Sequence, residues 1–121
     1  MTNTRAIRIA ALAGALAVAL GAFGAHGLKD VLVRNGTAAI WEKAVFYHFI
    51  HAVMLFVLAT RPTLARVAWF SFLVGVALFS GSLYLLAVTN VRWLGAITPF
   101  GGVSFMIGWI CLLISAGKLK N

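Results

Sequence analysis

Two histidines inside an apolar stretch are the side chains whose type and spacing could support chemistry. His48 and His51 are three positions apart, so a helix places both on one face. Ionisable groups inside an apolar segment are costly and usually point toward a partner within the protein. Ser80 and Ser82 lie in the next apolar segment. If the two segments are antiparallel helices, His48 and Ser82 both lie about 10 to 12 Å from the same end. This spacing predicts a hydrogen bond from His48 to Ser80 or Ser82.

Three roles are open to this pair of histidines. The favoured one is structural, with both rings hydrogen-bonded inside the protein. The second is binding of a proton or a small ligand on the same face. The third, a metal or haem site, would need further ligands at the same depth. The remaining histidine, His26, lies near the end of the first apolar segment, well away from His51. The sequence therefore predicts no metal and no cofactor.

A second polar group is expected near one membrane surface. The group consists of His26, Asp30, Glu42, Lys43 and Arg92, which all fall beside segment ends that share this surface. Ordinary surface pairing is one interpretation, and each such pair contributes less than about 1 kcal/mol. The alternative is a buried Glu42 that pairs with Arg92 or His26.

The Thr98-Pro99 step predicts the start of the last helix. Threonine is a favoured N-cap residue and proline is favoured at the first helical position. A helix that begins at Pro99 would leave 93–97 as a non-helical approach and an N-terminus near Arg92 that attracts an anionic lipid headgroup. The alternative is one continuous helix from Arg92 with a mild kink at the proline.

The composition is that of a membrane protein. Of the 121 residues, 63% are hydrophobic and only 10% are charged, compared with about 25% charged in a typical soluble domain. The net charge of +8 would suggest nucleic acid in a soluble protein. Here the basic residues flank apolar segments, which favours lipid headgroups over nucleic acid.

Hydropathy divides the chain into four apolar segments within a single domain, 1–121. The predicted helices cover about 7–27, 38–60, 67–89 and 95–117, and each approaches the 20 residues needed to span a bilayer. The fold class is therefore all-α, an integral membrane four-helix bundle with antiparallel up-down topology. The first segment also resembles a secretory signal peptide. Thr37 is a predicted N-cap for the second helix, and whether 28–36 is helical is left open.

Small residues recur at helical spacing in three of the segments. Such stripes allow close packing of helices in lipid. They consist of Ala10, Gly14, Ala17, Gly21 and Gly24 in the first segment; Ser71, Gly75, Leu78 and Ser82 in the third; and Gly101, Ser104, Gly108, Cys111 and Ser115 in the fourth.

The positive-inside rule gives a weak orientation. Placing the N-terminus inside puts six basic residues on the inner side and four on the outer side. The inner set is Arg5, Arg8, Arg61, Arg66, Lys118 and Lys120, and the outer set is Lys29, Arg34, Lys43 and Arg92. Both termini are therefore expected in the cytoplasm.

Four stretches of the chain resemble one small membrane family. They are GAFGAHG at 21–27, YHFIHA at 47–52, FSGSLYL at 79–85 and RWLGAITPFGG at 92–102. They are similar, in the same order, to the family of domain of unknown function 423, which includes transmembrane protein 256 of animals. The resemblance implies a four-span integral membrane protein of bacterial type in the inner membrane. It implies no activity and no catalytic residues.

No catalytic set of residues is apparent, so an enzyme is not predicted. The sequence shows no Ser-His-acid spacing, no pair of carboxylates within a span and no phosphate-binding loop. The favoured function is a non-enzymatic accessory or interaction subunit, with membrane lipids and either a protein partner or a second copy as partners. The alternatives are a lipid, small-molecule or proton-binding bundle that uses the His48/His51 face and the Arg92–Pro99 corner, or an oligomeric transporter.

Overall fold

The computed structural model describes residues 3–117 of the chain, and every regular element in this range is a helix. The four long helices are α1 (Asn3–Ala25), α3 (Ala38–Ala59), α4 (Arg66–Thr89) and α5 (Thr98–Ala116). All four are long and apolar enough to cross a membrane. They agree with the four predicted segments to within about one helical turn. Lys118 and Lys120, which contribute to the predicted orientation, lie outside the described residues.

The segment left open at 28–36 is helical. Its seven residues Lys29–Asn35 form α2, which ends at Gly36 in the left-handed conformation, φ 65°. Leu32 of α2 is buried against Trp41 and Ala87, whereas Val33 is exposed. The segment is therefore a short helix with one buried side.

The long helices run alternately up and down, with α3 and α4 in the centre. α1 packs against α3 and α5 packs against α4. The amide of Asn3 donates a hydrogen bond of 2.8 Å to the carbonyl of Arg61, which ties the start of α1 to the α3–α4 loop. The main core lies among the four helices around Leu55, Trp69 and Phe72, all of which are completely buried.

Part of each predicted small-residue stripe lies in these helix contacts, whereas Gly14 has open space beside it and Ser115 is exposed. Ala10 and Ala17 of α1 are buried. In α5, a Cβ added at Gly101 would lie 2.7 Å from the Cα of Phe79, and one at Gly108 would overlap the ring of Phe72. The absent side chains are therefore what permits the close approach of α5 to α4, as expected for helix packing in lipid.

The middle of α4 is wider than an ordinary α-helix. Val76–Ser80 form a π-helical segment between the α-helical parts Arg66–Gly75 and Gly81–Thr89. The Oγ of Ser80 donates 2.8 Å to the carbonyl of Ala44 on one side. The backbone of Phe79 meets Gly101 on the other side. The π segment therefore lies where α4 makes its tightest contacts with both neighbouring helices.

The junction between α2 and α3 caps the end of α4. The last carbonyls of a helix have no partner within that helix. Here Asn35 Nδ2 donates 3.1 Å to the carbonyls of both Ala87 and Val88, and Thr37 Oγ1 donates 2.7 Å to that of Ala87. Thr37 does precede α3, but its side chain makes no N-cap hydrogen bond. The predicted N-cap was therefore wrong. The hydroxyl of Thr37 is directed to the Ala87 carbonyl of α4 and not to the first amides of α3.

The start of the last helix differs from both sequence interpretations. Arg92–Ala96 form a 3-10 helix, so 93–97 is not an irregular approach. The α-helix begins at Thr98 with Pro99 in its first turn, which confirms the predicted place of the proline. Thr98 makes no side-chain cap, because its hydroxyl lies 2.7 Å from Ser82 Oγ. As with Thr37, the threonine hydroxyl bonds to a group on α4 and does not cap its own helix.

Replacing Thr37 with valine is expected to destabilise the bundle by about 1 to 2 kcal/mol. The substitution keeps the shape of a completely buried side chain and leaves the carbonyl of Ala87 without this donor. Thermal or denaturant unfolding of the protein in detergent, followed by circular dichroism, measures the change.

The matched control is Thr89→Val, which is exposed and donates only to Leu85 of its own helix. This control is expected to change stability by less than about 0.5 kcal/mol. Equal effects of the two substitutions would contradict an interhelical role for Thr37.

Candidate functional site

His48 and His51 share the inner face of α3, as predicted. Each side chain is only 4% exposed. Their partners lie on different helices, however, so they do not form one two-histidine site. His48 faces α4, and His51 faces α5.

The hydrogen-bonding partner of His48 is Tyr84, and the prediction of Ser80 or Ser82 was wrong. The Nδ1 atom of His48 lies 2.7 Å from the hydroxyl of Tyr84. The depth was correctly estimated, because Tyr84 lies only two residues beyond Ser82 in α4. His48 therefore connects α3 with α4.

The two serines hold other contacts of α4. Ser80 is completely buried and donates to the Ala44 carbonyl of α3. Ser82 donates 3.0 Å to the carbonyl of Phe79 and shares the hydrogen bond with Thr98 that joins α4 to α5. Both hydroxyls stabilise helix contacts at the π segment.

His51 is held in one protonation and tautomeric state by its two neighbours. Its Nδ1 lies 2.7 Å from the carbonyl of Tyr47, which can only accept, so this nitrogen carries the proton. Its Nε2 accepts a hydrogen bond of 3.1 Å from the indole N–H of Trp109 in α5, and an indole can only donate. The ring also stacks on Phe105, with centroids 3.6 Å apart. Both nitrogens of the neutral imidazole are therefore occupied by the protein.

This geometry favours the structural role for the histidines. A metal ion or an incoming proton would have to displace the Trp109 N–H from the Nε2 of His51. Among residues 3–117, no three His, Cys, Asp or Glu side chains are grouped closely enough to hold a metal ion. In the same range, no buried side-chain nitrogen or oxygen is without a hydrogen-bond partner.

The polar residues expected near one membrane surface do not form a buried site. His26, Glu42 and Arg92 are all exposed. Arg92 donates a hydrogen bond of 3.2 Å to the backbone carbonyl of Asn35, so it is tied to the end of α2. The buried Glu42 pair with Arg92 or His26 was therefore wrong.

Three residues of the polar core escaped the sequence prediction. Tyr84 had a detectable signal, since it lies four positions from Ser80 and therefore on the same helix face. Asn35 lies in the segment 28–36, whose structure the sequence left open, and its amide caps α4. Trp109 had no local signal, because the pairing with His51 depends on how α5 is positioned beside α3.

Two open grooves lie on the surface that faces lipid. The smaller has a volume of about 330 Å³, lies between α1 and α4 and has His48 and Tyr84 in its lining. The larger has a volume of about 490 Å³ and lies between α1 and α3 at the ends of these helices that are next to α2. Both volumes fall in the range of about 300 to 1,000 Å³ that is common for small-molecule sites.

Four membrane-length helices packed around an internally hydrogen-bonded core define a small multi-pass integral membrane protein. The chain belongs to the family described as Protein of unknown function (DUF423), whose profile matches residues 20–102.

Full-length relatives support this assignment. The chain is 49% identical to a UPF0382 membrane protein of Staphylococcus epidermidis, over 95% of this chain and 97% of the relative. It is 44% identical to the UPF0382 membrane protein YwdK of Bacillus subtilis, over 93% of this chain and 95% of the relative. No solved structure matches the chain significantly. The relatives establish a membrane location, and their names assign no activity.

Proposed function

We propose that this protein is a non-enzymatic accessory or interaction subunit of the inner membrane, with both termini in the cytoplasm. The observation that carries the proposal is the complete internal pairing of the buried polar side chains among the described residues. His51, the most promising group for chemistry, has both nitrogens occupied by Tyr47 and Trp109. A core of this kind stabilises a shape and leaves recognition to the outer surface.

The outer helices offer the surface for partners. α1 and α5 are the least buried of the four long helices. The outward side of α5 is a continuous apolar strip with 3–4 residue spacing, namely Phe100, Val103, Ile107, Ile110 and Leu113. Apolar contacts with another membrane protein or with membrane lipids suit this side, and the basic residues near Arg92 suit anionic headgroups.

The groove beside His48 supports a second candidate function. It would admit an apolar small molecule or a lipid chain against the His48–Tyr84 pair. Gly81 lines this groove, and a Cβ added there would meet nothing within 4 Å. A leucine at position 81 can therefore fill the groove without displacing a helix.

Purification in native lipid nanodiscs, with mass spectrometry of all associated molecules, tests both candidates. If the protein is an accessory subunit, a second membrane protein is expected to co-purify with it in a fixed stoichiometric ratio. Val103→Trp, on the exposed strip of α5, should lower that recovery by about tenfold, or about 1.4 kcal/mol, whereas Gly81→Leu should not.

The second candidate predicts a retained small molecule that is lost specifically in Gly81→Leu. Recovery of the protein with bulk lipid alone, in the wild type and in both variants, would contradict both candidates. Unchanged helical content and unfolding midpoint of the variants establish that each one is folded.

A further inference from the structure

The larger groove, between α1 and α3, is polar at one end and apolar along the rest of its length, which matches the headgroup and acyl chain of a phospholipid. Glu42 lies at its outer end, and Val45, Phe46, Phe49 and Ile50 follow along α3. At helical rise, the eight residues from Glu42 to Ile50 cover about 12 Å along the membrane normal. The groove therefore runs from the headgroup region into the hydrocarbon.

Two glycines of α1 shape the opposite wall. At Gly24, an added Cβ would overlap the indole of Trp41, whose N–H donates 2.9 Å to the carbonyl of Leu20. This contact fixes α1 and α3 at the outer end. At Gly21, an added Cβ would already contact Val45 Cγ1 at 3.4 Å, so this glycine allows α1 to lie close to the wall of α3. The shape of the groove is therefore set by the fixed contact between α1 and α3.

The carboxylate of Glu42 lies at the groove mouth and makes no ion pair with any residue between 3 and 117. Glu42 is the only acidic side chain among the lining residues. Within residues 3–117, none of its neighbours forms a hydrogen bond or an ion pair with it. A carboxylate at the edge of the bilayer attracts a cationic group and repels an anionic headgroup. Lys43, the next residue, is exposed and suits a phosphate at the same level.

We propose that this groove binds a zwitterionic aminophospholipid. The primary ammonium of the headgroup pairs with Glu42, the phosphate lies near Lys43, and one acyl chain follows the apolar wall to Ile50. The site is separate from the His48 groove and does not depend on the accessory function. A lipid is favoured over a second copy of the chain as the occupant, because the Glu42 carboxylate lies at the groove mouth and the wall beyond it is entirely apolar.

Competition between two lipids in nanodiscs tests the proposal. The purified protein is reconstituted with equal amounts of phosphatidylethanolamine and phosphatidylglycerol, released into detergent, and analysed by native mass spectrometry. Wild type is expected to retain phosphatidylethanolamine over phosphatidylglycerol by about threefold, within the range of up to about fivefold for an exposed ion pair. Glu42→Gln should bring the ratio close to one, because the amide keeps the shape and loses the charge.

Two further variants separate the groove from general surface charge. Asp30→Asn removes the only other carboxylate of the chain, which is exposed on α2 and does not line the groove, and should leave the ratio unchanged. Gly21→Leu fills the groove and should lower retention of both lipids by about fivefold.

Three results would overturn the proposal. They are equal retention of the two lipids by wild type, an unchanged ratio in Glu42→Gln, and a dimer that is lost in Gly21→Leu, which would identify a second copy as the occupant. Circular dichroism and the unfolding midpoint of each variant show that a lost lipid does not reflect a lost fold. A protein that retains phosphatidylethanolamine but no protein partner would contradict the accessory function and leave this site intact.

Discussion

Gly101→Ala is expected to destabilise the bundle by about 3 kcal/mol, although it adds a single methyl group. That methyl would lie 2.7 Å from the Cα of Phe79, inside the contact distance of the α4 backbone. A flexible side chain could move aside, but a helix backbone cannot do so without separating α5 from α4. The Ser82–Thr98 hydrogen bond crosses the same contact and would be weakened with it.

The neighbouring glycine provides the control. A Cβ at Gly102 would lie 3.9 Å from the ring of Phe79, an ordinary contact, so Gly102→Ala should be neutral or slightly stabilising. Denaturant unfolding of the two variants in detergent, followed by circular dichroism, distinguishes them. Equal stability of the two variants would show that α5 does not approach α4 as closely as described.

The second large effect is expected at His51, where alanine should destabilise the protein by about 3 kcal/mol. The substitution removes a buried ring that stacks on Phe105 and leaves the Trp109 N–H without its acceptor. Trp109→Phe removes the donor and keeps an aromatic ring. A double-mutant cycle between the two is expected to give a coupling energy of about 1 kcal/mol, typical of hydrogen bonds between membrane helices.

The third histidine is the matched control for this experiment. His26 is exposed at the end of α1, and His26→Ala should change stability by less than about 0.5 kcal/mol. A zinc titration of wild type extends the test, since a metal ligated by His51 would raise the unfolding midpoint. A coupling energy near zero together with stabilisation by zinc would contradict the structural role of His51.

Local sequence patterns predicted the features that depend on one helix at a time. Apolar length located the four spanning helices, because a bilayer of fixed thickness requires a fixed number of residues. The spacing of Gly101 and Gly108 located the contact face of α5, since a helix repeats its faces every three to four residues. The i, i+3 spacing of His48 and His51 correctly placed both on the inner face of α3.

Three of the errors involve a choice between partners on different helices. Thr37 and Thr98 have the sequence positions of N-caps, yet each hydroxyl bonds to a group on α4. His48 was expected to bond to a serine, but the longer side chain of Tyr84 reaches it first. Helical spacing gives the depth of a residue to within about one turn, and several polar groups fall within one turn.

The sequence by itself determined that this protein crosses a membrane with four helices, and where small residues allow those helices to approach. The lipid environment requires these features, because the backbone of each spanning helix must form its hydrogen bonds within that helix. Polar side chains within a span must also face the interior of the protein. Only the tertiary structure decided which groups pair in the core. In the folded protein, Trp109 donates a hydrogen bond to His51, and Thr37 and Asn35 cap the end of α4. Glu42 lies beside an open groove. These outcomes depend on the rotation and offset of one helix against another, which the spacing within a single helix does not specify.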